Sequence, residues 1–220
     1  MTVLWIVDGR SPPEGLAMVP PESATDRVFF IETTTIFPEL AAQVRRASGM
    51  PASLARIVSH GTAGRLLLSN MPVNRHSVGV FAFLRDVIAP STPGAAVELH
   101  GCGIASDWLP PPSIVPGICN AQVADYGTMQ GRTSMWGDVH DGFGDAMLLS
   151  QLAHGAGVNF LDRFADACGH AVRGAIDHQT RSDRTWAYGG ATIVSYPGLP
   201  RQRRLFDPEN RLGLGMTRSF

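Results

Sequence analysis

The chain has 220 residues, 44% of them hydrophobic and 17% charged, with a formal net charge of -1. Its 18 basic residues are all arginine and none forms a long cationic run, so neither the balance nor the pattern of charge suggests a nucleic-acid surface. Cys102, Cys119 and Cys168 make no disulfide framework, no stretch reaches the length of a membrane span, and residues 1–8 lack the basic region of a signal peptide, which together point to a cytoplasmic protein away from membranes.

Residues 2–7 read as a buried strand stopped by Asp8-Gly9, and residues 27–33 as a second, with a Pro-rich loop over 11–21 between them. Pro38 stands in the first turn of a helix running to about Ser48, with Leu40, Ala41, Val44 and Ala47 on its apolar face and Gly49 at its end. The run 54–58 is a strand, 62–64 a tight turn and 65–68 a short returning strand. Val80, Phe81, Leu84, Val87 and Ile88 predict a helix over 77–89, broken at 90–94, and residues 95–99 form the next strand. Strands alternating with helices argue for an α/β domain with a largely parallel sheet and helices on its faces.

The pattern lapses over 107–144, which is rich in Pro, Gly, Met and Trp; a segment of that length without a period is functional or flexible. Residues 145–153 read as a short helix and 157–168 as a longer one capped by Gly169. Residues 170–176 and 191–196 are strands. After Pro197 the chain turns polar and irregular, so 199–220 reads as a tail to a single domain over 1–198. Arg201, Arg203 and Arg204 then belong to its solvated surface.

Two short motifs carry the chemistry. Ser59-His60-Gly61 follows the strand 54–58, and His100-Gly101-Cys102-Gly103 follows the strand 95–99. In an α/β sheet such strand ends share one rim, where active sites form. A thiol and an imidazole at one rim are the minimal equipment for nucleophilic catalysis. Flanking glycines leave the backbone near the sulfur open and let N–H groups approach a developing oxyanion. Read singly, each residue has a plainer explanation: a free cysteine is commonly a small core hydrophobe, and a loop histidine commonly bonds nearby backbone. Their matched placement favours reactivity. The seven histidines and three cysteines show no metal-ligand spacing, and neither a phosphate loop nor a G-x-S-x-G elbow is present, so no metal or cofactor is expected.

The passages Arg56-Ile57-Val58-Ser59-His60-Gly61 and Val97-Glu98-Leu99-His100-Gly101-Cys102 resemble the caspase-like clan of cysteine peptidases, which includes caspases, metacaspases, legumains and gingipains. S-H-G-T-A-G-R-L-L-L followed by H-G-C-G-I-A looks closest to bacterial caspase-like domains. The resemblance covers roughly residues 1–105 and 155–198. It implies a three-layer sandwich and a cysteine endopeptidase that acts on a peptide or protein substrate through a thioacyl intermediate. Cys102 would be the nucleophile and His60 the general acid/base, with the N–H groups of Gly61 and Cys102 binding the oxyanion. His100 stands where the clan lines the pocket for the side chain before the cut, and it cannot supply the negative charge that recruits arginine there. Asp177, or less directly Asp107, is then the candidate for that charge, although Asp177 also suits an ordinary strand-end turn. Trp186 and Tyr188 would fall near the wall where a peptide adds as a strand, or else serve as core aromatics. The segment 107–144 would be a processing loop, a lid or a partner surface. Two further classes stay open: a non-catalytic module of the same architecture that binds a peptide or partner, and a thiol hydrolase or acyltransferase acting on a non-peptide substrate.

Overall fold

In the computed structural model the described residues are 2–11, 13–47, 49, 51–62, 64–68, 71–89, 94–101, 103–105, 155–176, 186–188, 191–206, 208 and 217–219. Apolar runs too short for buried helices become strands. In chain order the elements are β1 (Val3–Asp8), the one-turn α1 (Pro13–Leu16), β2 (Asp26–Ile31), α2 (Phe37–Ala47), β3 (Leu54–Val58), β4 (His60–Thr62), β5 (Arg65–Leu68) and β6 (Met71–Asn74). A 3₁₀ turn (Val78–Phe81), α3 (Leu84–Val87) and β7 (Val97–His100) follow. The last elements are α4 (Ala156–Cys168), β8 (Val172–Ala175), β9 (Thr192–Tyr196), β10 (Gln202–Phe206) and β11 (Thr217–Ser219).

The main sheet has eight strands in the order β2-β1-β3-β7-β8-β9-β10-β11. From β2 to β8 every neighbour is parallel; β9, β10 and β11 are added antiparallel. The protein is therefore α/β with a mixed sheet whose larger part is parallel. Order reverses around β1, which sends β2 to one side and β3 to the other, and such a reversal opens a crevice at the carboxyl ends of the strands.

The two faces of the sheet differ. One carries Ile6, Ile57, Leu99, Val172 and Ile193, packed under Leu40 and Val44 of α2 and Phe160, Leu161 and Phe164 of α4. Phe81 joins this layer, stacked on Phe164 with ring centroids 5.1 Å apart. The other face carries a smaller cluster of Trp5, Val7 and Val58, against which Leu16 of α1 and Trp186 pack. Among the described residues, α1 is the only helix on that second side.

Three expectations change. The helix over 77–89 is instead a 3₁₀ turn and a single α-turn. Val78 and Phe81 are buried at the 3₁₀ spacing of three, and Phe83, Leu84, Val87 and Ile88 are buried in and around the turn that follows. His60 and Met71–Asn74 are not plain loop: they belong to a three-stranded antiparallel sheet, β4-β5-β6. Residues after Pro197 are not all tail, because β10 and β11 extend the main sheet. Arg201 and Arg203 are half-buried and fixed to α4: Arg203 forks onto Asp162 at 2.7 and 3.2 Å, and Arg201 onto Asp166 at 2.6 and 2.8 Å. The segments 107–144 and 145–153 lie outside the described residues, as do Cys102, Cys119, Asp107 and Asp177.

Candidate functional site

β3 and β7 are parallel neighbours, and Val58 pairs with His100. Strands paired this way lie about 5 Å apart, so the loops that leave them start side by side. The two loops are also fastened together. Ser59 N donates to His100 O at 3.2 Å, and Gly64 N, in the turn between β4 and β5, donates to Ile104 O at 3.0 Å. Gly101 lies against the other loop: a Cβ built there would stand 3.0 Å from Ser59 O, 3.3 Å from Gly61 N and 2.7 Å from Ile104 Cδ1. A side chain at 101 would require the Ile104 methyl to swing aside and the two backbones to give by a few tenths of an ångström. His60 and Gly61 are thus held next to the residue that precedes Cys102, with His60 half-buried and Gly61 buried. Cys102 itself, between the described Gly101 and Gly103, lies outside the described residues, so no distance to His60 enters the argument.

Asp8, at the carboxyl end of β1, brings a further charged group to the same rim. Its buried carboxylate accepts from Arg10 Nε at 3.0 Å, Nη2 at 2.7 Å and the Arg10 backbone N–H at 2.8 Å, while the Arg10 side chain stays 44% exposed. The bond to Asp8 raises the Arg10 pKa. Ser11 Oγ donates to Val58 O at 3.4 Å and so ties this loop to the end of β3.

His100 is placed differently from the pocket-lining expectation. Only 3% exposed, it is stacked flat on Tyr188 at 4.8 Å and meets the edge of Trp186 at 5.0 Å. Its Nε2–H faces Glu98 Oε2 at 3.3 Å, and Arg56 Nε donates to the same oxygen at 2.8 Å. Burial pushes the Glu98 carboxyl up, but the bond and charge of His100 and those of Arg56 outweigh it and hold Glu98 below its ordinary value. The Arg56 guanidinium lies over Trp5 at 5.0 Å and Trp186 at 5.9 Å. Tyr188 Oη reaches Leu99 O and Arg173 O at 3.4 and 3.3 Å, and burial followed by the Glu98 charge raises its pKa well above 10. Trp186 donates Nε1–H to Met18 O at 3.1 Å. His100 is thus a buried spacer under two rings, and the rings are the groups that reach open volume. Arg56, Glu98, Trp186 and Tyr188 line a cavity of about 600 Å³ on the second face of the sheet.

The Arg56–Glu98 couple and the Asp8–Arg10 clamp are absent from the motif reading. A signal for the first was present: each of two apolar strand runs carries one charge, opposite in sign, and the register places Arg56 beside Glu98. Cys168 is a different kind of thiol. It is fully buried, and burial pushes its pKa up to about 12, so it is inert at neutral pH. Among the described residues no group of three or more His, Cys, Asp or Glu could hold a metal ion, and no described helix is long and apolar enough to cross a membrane.

No family model matches the chain, and neither a curated protein nor a solved structure matches it.

Proposed function

We infer that the protein is a cysteine endopeptidase of caspase-like architecture, with His60 and Cys102 as its dyad. The observation that supports this most is the fusion of the two loops that carry the motifs: paired strands, two cross-loop hydrogen bonds and a glycine contact bring Ser59-His60-Gly61 against Gly101. Glycine at 101 is what that contact requires, and it stands immediately before the thiol. In the proposed reaction Cys102 gives its thiol proton to His60 as the sulfur attacks the carbonyl carbon of the scissile bond, and the oxyanion is met by the N–H groups of Gly61 and Cys102. The C–N bond then breaks, His60 protonates the leaving amine, and water hydrolyses the thioester to free the carboxyl product and restore the thiol. His100 acts here as a positioning residue that packs Trp186 and Tyr188, which line the cavity on the second face of the sheet.

Iodoacetamide labelling of the native chain at pH 8, read by mass spectrometry, tests the nucleophile. Cys102 should be modified much faster than Cys168, whose thiol titrates near 12. Cys102→Ala and His60→Ala should each abolish hydrolysis in a peptide-library digest while circular dichroism stays unchanged. Hydrolysis that survives Cys102→Ala overturns the dyad. Slow labelling of Cys102, at a rate no greater than that of an unstructured thiol, points instead to a binding module of the same fold.

A further inference from the structure

On the second face of the sheet, beyond β7, the register lines up Arg173, Val194, Arg204 and Ser219 on four successive strands. Val194 is the apolar floor of this row, and an arginine stands on either side of it, two strand spacings or about 10 Å apart at the backbone. Tyr196 and Phe206 flank the floor on the same face. These residues line a cavity of about 930 Å³, large enough for a small organic ligand.

The charge of this cavity is one-sided. Arg201, Arg203, Arg173 and Arg204 line it, and no carboxylate does among the described residues. Arg201 and Arg203 are neutralised from the helix side by Asp166 and Asp162. Arg204 makes no ion pair with a described carboxylate, and neither does Arg173, whose register neighbour Glu98 is already paired with Arg56 and His100. The Arg173 Nε is buried without a hydrogen-bond acceptor among them, and its guanidinium lies 5.1 Å from the centre of the Phe206 ring. A buried donor without an acceptor costs free energy that an arriving anion would recover. Two cations without ion-paired carboxylates suit a dianion, and the ring of Tyr196, beside the row on the side away from Phe206, suits a flat apolar group.

We propose that this cavity binds an organic dianion of the phosphate monoester class that carries an aromatic ring, with the phosphate between Arg173 and Arg204 and the ring against Tyr196. Guanidinium forks match phosphate oxygens in geometry as well as charge. The site is independent of the thiol chemistry: it lies on strands β8 to β11, two of which the sequence reads as tail. It shares Arg173 and Phe206 with the cavity lined by Trp186 and Tyr188.

Isothermal titration of the full chain with phenyl phosphate at low ionic strength tests the proposal. The expected result is one site per chain, with inorganic phosphate binding more weakly because it leaves the Tyr196 ring uncovered. Arg204→Gln changes an exposed side chain that no described contact needs for folding, and it should weaken phenyl phosphate at least about tenfold through loss of a charge-assisted bond. Arg75→Gln, an exposed arginine on β6's outgoing turn, should leave binding unchanged. Saturating phenyl phosphate should also raise the melting temperature of the native chain and not that of Arg204→Gln. Absence of binding at millimolar ligand, equal affinity in Arg204→Gln, or inorganic phosphate binding as tightly as phenyl phosphate would each overturn it.

Discussion

Replacing Gly101 by alanine probes the contact on which the candidate site depends. The added methyl would sit 2.7 Å from Ile104 Cδ1, 3.0 Å from Ser59 O and 3.3 Å from Gly61 N. The isoleucine methyl can rotate away, but the other two atoms are backbone. Ser59 is already pinned through its N–H to His100 O, so relief requires moving the loop after β3 away from the loop after β7. Overpacking of this kind costs about 1–3 kcal/mol. For a domain of this size each kcal/mol lowers the melting temperature by roughly 2–4 °C, so Gly101→Ala should melt about 2–12 °C below wild type in differential scanning calorimetry. Gly79→Ala is the matched control, since a Cβ there meets nothing within 4 Å. It should melt at or slightly above wild type, because alanine restricts the unfolded chain. If Gly101→Ala and wild type melt together, the close approach of the loops is wrong, and with it the main support for the dyad.

Two other outcomes follow from the buried charges. Asp162 accepts from Ser195 Oγ at 2.5 Å and from Arg203 at 2.7 and 3.2 Å; Asp162→Ala strands both donors and should cost about 3–5 kcal/mol, read as a lower urea midpoint at unchanged slope. A loss under about 1 kcal/mol would mean that β10 is not anchored to α4 as described. Glu98 has a folded-state pKa below its ordinary value, so its contribution is fully present above the usual carboxylate range near 4.3 and is lost as pH falls through the folded value. In Glu98→Gln the acid limb of stability against pH should therefore be shallower than in wild type; an identical limb would remove the ionised Glu98 from the His100–Arg56 group.

What could be read from the residues alone followed burial. β1, β3 and β7 stand out because continuous apolar runs flanked by glycine have few alternatives to a buried strand, and α4 because Val158, Leu161, Phe164, Ala165 and Cys168 recur at helical spacing. β10 was hidden because Gln202-Arg203-Arg204 reads as solvated, whereas Arg203 is satisfied by an aspartate 41 residues earlier in the chain. No local pattern reports such a partner. In the small sheet, β5 was read from its apolar residues, but β4 and β6 were not: they are three and four residues long, and Pro72 argues against a strand until it falls at an edge. The placement of His60 and Cys102 after two strands was legible, and so was the likeness of their settings. That His100 would turn inward under Trp186 and Tyr188 was not, because those rings arrive from 86 and 88 positions further along.

The turn at Gly64 has a consequence for how the chain can vary. Its N–H bonds Ile104 O, and a Cβ on it would stand 2.7 Å from Ala156 O, so bare backbone at this one point meets both Ile104 and Ala156. Ala105 N is bonded to Ala175 O on the one side, and on the other Arg85 Nη2 holds the end of α4 through Asp166 O and Ala167 O. A side chain at 64 would therefore press on two partners at once, the segment that leaves β7 and the start of α4, so one substitution there would disturb the candidate rim and the helix together.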